Sequence, residues 1–146
     1  MAKPIHIVLT TINFPTVVRS IRDNARIHGH LDQTKIWIVG DVKTPKEVAA
    51  LAIEVTETGL ETVYLDLPAQ DAMSGVFGSF VARLPLNNEC RRNLGYLAAL
   101  QDGCEILLAM DDDNFPVEED LIGGHLQTGR GWAGDVLTDP SGYYNV

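Results

Sequence analysis

The chain is short of cysteine, short of basic residues and free of long apolar runs. Its two cysteines, Cys90 and Cys104, stand alone among 146 residues. Two cysteines make no disulfide framework, and their spacing matches no metal–thiolate motif. Both are expected to be reduced, in a cytoplasmic compartment. Lysine and arginine number 11 against 20 aspartates and glutamates, a formal charge of −9. That balance argues against nucleic acid or an anionic membrane as the main partner. The apolar stretch Ile5 to Leu9 is too short for a signal peptide and lacks its flanks. No stretch reaches the length of a membrane span. The four histidines show no metal-ligand spacing.

What is present suits one globular core: 146 residues, 45% of them hydrophobic. Ile5 to Leu9, Lys35 to Val39, Thr62 to Leu65 and Ile106 to Met110 read as strands. Between them lie helical patterns. Val17, Val18, Ile21 and Ala25 predict a helix over about 14–27. Thr44 as N-cap, Pro45 at the first position and Glu47 closing a capping box predict a second helix, with Val48, Leu51, Ala52 and Val55 as its buried stripe. A third is expected over about 88–101. Residues 66–85 read as a long loop, of the kind that is functional or mobile. A short acidic helix is expected over 117–122. Strands alternating with helices predict an α/β domain with a mostly parallel sheet of about four strands.

The domain is expected to cover 1–122. Residues 123–146 are rich in glycine and show no clear pattern, and read either as a loose tail or as the start of an acceptor-binding part. Trp132, Tyr143 and Tyr144 are expected to pack against such a part or against a second protein chain, a homo-oligomer included. Asp135 and Asp139 are the only acids there available as a base.

The most informative feature is Asp111-Asp112-Asp113, directly after the fourth strand. Three adjacent carboxylates repel one another unless a positive group sits among them. A hard divalent cation takes oxygen ligands and shares them with phosphates. Side chains alternate along an extended segment. On that ground Asp111 and Asp113 are expected to hold Mn²⁺ or Mg²⁺, with Asp112 turned elsewhere. Arg91 and Arg92 lie near a helix N-terminus, where the dipole favours anions, which points to an anionic ligand nearby. The alternative for them is a surface ion pair with Glu89 or Asp102.

The order of elements, with Arg91-Arg92-Asn93-Leu94-Gly95-Tyr96-Leu97 leading into Glu105-Ile106-Leu107-Leu108-Ala109-Met110 and Asp111-Asp112-Asp113-Asn114, resembles the Rossmann-like nucleotide-binding half of GT-A glycosyltransferases of the family-2 type. It is similar, more closely, to the plant reversibly glycosylated polypeptides, the UDP-arabinopyranose mutases. It departs from them at Leu94 and Asn114, where that family has Phe and Cys. The good match covers about residues 86–116. The resemblance implies a sheet order of 3-2-1-4 and a crevice between strands one and four. It implies a nucleoside diphosphate sugar, UDP-linked, as ligand and an acceptor of unknown kind. Thr10, Thr11, Asn13, Asp41, Arg92, Asn93, Asp111 and Asp112 would contact the nucleotide, with Asp41 accepting from a uracil imide. Arg92 and Asp112 would take part in the chemistry. The implied activity is metal-dependent glycosyl transfer, with mutase chemistry or nucleotide-sugar binding alone as alternatives. A haloacid-dehalogenase phosphatase is discounted, because Phe115 stands where that motif needs Thr or Val.

Overall fold

Among the described residues every strand runs the same way, and the helices that return the chain lie against both faces of the sheet. The structure, a computed structural model, describes residues 3–131. The strands are β1 (Ile5–Thr10), β2 (Thr34–Val39), β3 (Glu61–Leu65) and β4 (Ile106–Asp111). They form one parallel sheet in the order β3-β2-β1-β4. The principal helices are α1 (Val17–Ile27), α2 (Val48–Glu57) and α6 (Arg92–Gln101). The architecture is α/β and Rossmann-like, in the strand order expected.

Burial explains why the central strands are apolar throughout. A parallel strand covered on both faces has no polar side. Ile5, Ile7 and Leu9 of β1 and Ile36 and Ile38 of β2 pack against Val17, Val18 and Ile21 of α1 and Leu51 and Val55 of α2. On the other face Val8, Trp37 and Val39 meet Ala98 and Ala99 of α6. Gly95 lets α6 lie close to the sheet: a methyl there would run into Val8 and Val39. Edge strand β4 is only partly covered.

The structure corrects several local expectations. α1 begins at Val17 rather than near Phe14, because Pro15 precedes it and Val18 already bonds the Pro15 carbonyl in a tighter turn. Thr44 caps nothing. Its hydroxyl donates to the Thr11 carbonyl (2.5 Å) and accepts the Asp41 amide (2.7 Å), and α2 starts at Val48 without a side-chain cap.

The stretch 66–85 is not a loop. It folds as three short helices, α3 (Leu67–Ala72), α4 (Ser74–Phe77) and α5 (Ser79–Arg83). Asp66 caps the first by accepting the Ala69 amide (2.8 Å), and Gly78, at φ +56°, separates the last two. None is long enough to show a repeat.

The acidic helix expected over 117–122 is displaced. Residues 117–120 cross α1 with the carbonyls of Val117 and Glu119 bonded to Asn24 Nδ2 (3.2 and 2.8 Å). Helix α7 (Leu121–His125) starts only after Asp120, which accepts the Gly123 amide (2.8 Å). Ile122 of α7 is fully buried in the α1/α2 face, so that helix straddles the 122/123 boundary. No helix of the described residues is long and apolar enough to cross a membrane. Trp132, Asp135, Asp139, Tyr143 and Tyr144 lie outside the described residues.

Candidate functional site

Strand register places the site. Thr10 pairs with Val39 on one side and with Asp111 on the other, so β1, β2 and β4 end level with one another. The loops that leave these ends diverge and leave a cavity of about 490 Å³ at the carboxyl edge of the sheet. Thr10, Thr11, Asn13, Asp41, Arg92, Asp111, Asp112 and Asp113 line it together. Asn93 does not. It points back along its helix and donates to the Cys90 carbonyl (2.8 Å).

The walls are cross-braced. Thr44 links the loops after β1 and β2 through Thr11 and Asp41. Asp41 accepts the Val42 amide (2.7 Å) on one oxygen and the Asn88 amide (3.3 Å) on the other, which ties the loop after β2 to the start of α6. The Thr11 hydroxyl lies 2.5 Å from Asp112 Oδ2 and accepts the Asn13 amide (2.9 Å).

The two arginines have different tasks. Arg91 is buried; its Nε donates to Gln70 Oε1 (2.7 Å) and its Nη1 to the Leu84 carbonyl (3.2 Å). Gln70, fully buried, donates in turn to the carbonyls of Gly40 and Leu65 (2.7 Å each). Arg91 therefore anchors the α3–α5 excursion to the sheet. Arg92 reaches the aspartates. Its Nη2 donates to Asp111 Oδ1 and to Thr10 Oγ1 (3.2 Å), while its Nε is buried without a partner. Burial works against the Arg92 charge, but the bond to Asp111, the charge of Asp111 and the nearby Tyr96 together outweigh it and hold the guanidinium more firmly protonated than usual. Neither arginine pairs with Glu89 or Asp102; Asp102 is bonded to Lys35 instead.

The extended backbone stops at Asp111. Asp112 and Asp113 form a turn, closed by the Asn114 amide on the Asp111 carbonyl (3.2 Å). Strand alternation, the ground for pairing Asp111 with Asp113, does not reach them. Asp111 and Asp113 are exposed, and Asp112 is held by Thr11. Among the described residues no group of three or more His, Cys, Asp or Glu side chains is gathered into a ready-made metal cluster.

Sequence reasoning did not find Asn87, Asn88 and Glu89, which also line the cavity. The signal was faint but present. Asn87 adopts φ +53°, a conformation asparagine tolerates, and Asn88 accepts the Cys90 amide (2.9 Å) at the helix start. With them the charge of the site is clear. Five carboxylates, Asp41, Glu89 and Asp111 to Asp113, face a cavity whose two arginines are Arg91 and Arg92. Of those two, Arg91 is bonded to Gln70 and Leu84. Against known proteins, no family model and no curated protein matches the chain.

Proposed function

We propose that the carboxyl-edge cavity binds a nucleoside diphosphate sugar with a divalent cation, Mn²⁺ or Mg²⁺, and that the reaction is glycosyl transfer of the GT-A type. The observation that carries this reading is the imbalance of charge. Five carboxylates line the cavity, and among the described residues Arg92 is the one cationic side chain bonded to the aspartate run. Such a site gains from a cation held by oxygen ligands, and the donor set, all carboxylate, suits a hard one. Asp111 and Asp113 would hold it, since Asp112 is engaged by Thr11. The resemblance of residues 86–116 to UDP-sugar enzymes supports the same ligand class.

The chain's own residues would divide the work as follows. Asp41, between β2 and the start of α6, would accept from the base. Thr10, Thr11 and Asn13 would line the phosphate path. Arg92 makes its bonds to Asp111 and Thr10 through Nη2 in the free protein, so it can turn another N–H edge of the guanidinium to a phosphate oxygen. There it stabilises the charge that develops on the departing diphosphate. A bound cation supplies charge neutralisation of the same leaving group. The two free cysteines agree with a cytoplasmic, reducing setting.

UDP release from UDP-sugars with Mn²⁺, followed with and without EDTA, tests the reading. Release that stops with EDTA and with Arg92→Gln is expected. UDP that binds but is never released would reduce the protein to a nucleotide-sugar-binding module. Neither binding nor release with any sugar nucleotide would overturn the proposal.

A further inference from the structure

The opposite, amino edge of the sheet carries a second cluster of titratable groups that the site does not use. His6, the second residue of β1, is wholly buried. The Trp37 Nε1–H donates to His6 Nδ1 (3.1 Å). An indole nitrogen can only donate, so Nδ1 must be the acceptor and the imidazole proton must sit on Nε2. That Nε2 has no hydrogen-bond partner, and Asp102 Oδ2 lies 3.7 Å away. Asp102 is occupied by Lys35, whose Nζ bonds it at 2.8 Å and Glu61 at 2.7 Å and sits 4.4 Å from the Trp37 ring centroid. The charged groups around His6 are thus Lys35 from β2, Glu61 from β3, Asp102 from the end of α6, and Lys3, which lies 3.9 Å from Glu61. From β4 the residue in register is the apolar Leu107.

We propose that His6 is an acid-operated latch: a proton taken up at Nδ1 turns the Trp37 hydrogen bond into a donor–donor contact and loosens the amino edge of the sheet, together with the end of α6 remote from Arg92. Three features make the latch one-sided. The ring has no exposure through which a charge could be hydrated. Its indole partner has no acceptor lone pair to offer the new N–H. The carboxylate that would compensate is already bonded to Lys35.

Burial accordingly lowers the His6 pKa below its ordinary 6.5, and Asp102 opposes this only in part. The sign follows from the folded state's preference for the neutral ring. The stabilisation is complete above pH 6.5 and is lost as pH falls from there through the lower folded value.

The indole N–H signals of the ¹⁵N-labelled chain, followed from pH 8 to pH 5 and assigned with Trp37→Phe, test the latch. The Trp37 signal is expected to shift with a midpoint below 6.5, as its hydrogen bond is lost. His6→Gln keeps a side-chain oxygen for the indole and cannot titrate. Wild type should lose several degrees of melting temperature relative to that variant between pH 7 and pH 5. His28, His30 and His125 remain in both proteins, so the difference isolates His6. An unmoved indole signal, a midpoint at or above 6.5, or parallel melting profiles would overturn the proposal. If His6→Gln fails to fold, the indole titration of the unaltered chain decides alone.

Discussion

The two edges of the sheet use the same kinds of residue to opposite ends. At the amino edge Lys35 lies between Asp102 and Glu61, and burial of its charge is outweighed by the two carboxylates, which raise its pKa. The cluster is electrically closed. At the carboxyl edge the carboxylates outnumber the arginines, and Arg91 is bonded to an amide and a carbonyl rather than to any of them. That cluster is open, and Asp111 and Asp113 are exposed. Where acids are matched by bases inside the chain, they serve the fold. Where they are left in excess around a cavity, they await something from outside.

The contrast can be broken first at the excursion that Arg91 ties to the sheet. Gln70→Leu removes the acceptor of the buried Arg91 and the donor to Gly40 and Leu65. Leaving a buried guanidinium short of a partner should cost about 3 kcal/mol, seen as a lower urea midpoint. A loss below about 1 kcal/mol would mean the excursion is not anchored there.

The closed edge should respond less. Lys35→Met leaves Asp102 without its cation and Glu61 with Lys3 at 3.9 Å, but both carboxylate side chains are 42% exposed and water takes up part of the loss. About 1–2 kcal/mol of destabilisation is expected in urea unfolding. No change would show the cluster to be decorative.

The open edge should show the reverse sign. Asp113→Ala removes one of the adjacent carboxylates and breaks no hydrogen bond seen among the described residues. Melting temperature should stay level or rise, by no more than about 0.5 kcal/mol in stability. A clear loss of stability would make Asp113 a fold residue and weaken the contrast.

How much of this was legible in the sequence depended on the range of the forces involved. The strands followed from apolar runs, which burial on both faces requires of β1 and β2, whereas their order was implied by the resemblance alone. The aspartates stood out because nothing in a fold asks for three in a row. Gly95 has a physical reason that no periodicity discloses: α6 approaches Val8 and Val39 too closely for a methyl. Thr44 carried every local sign of an N-cap, and a longer-range bond to Thr11 overrode them. Arg91 and Arg92 are neighbours of one type, and only the packing of Gln70 separates a buried tie from a site residue. The α3–α5 helices, four to six residues each, are too short for a repeat to emerge. Asp112 and Asp113 lie past the end of β4, where the two-residue period that applies to strands no longer holds.

The central claim is that the excess carboxylates exist to hold a cation with a nucleotide diphosphate. Calorimetric titration of UDP into the protein with Mn²⁺, with EDTA, and with Asp113→Ala in Mn²⁺ tests it directly. Binding with Mn²⁺ that disappears both with EDTA and in the variant is the expected result. UDP binding that is the same in all three titrations, or absent from all three, would contradict it.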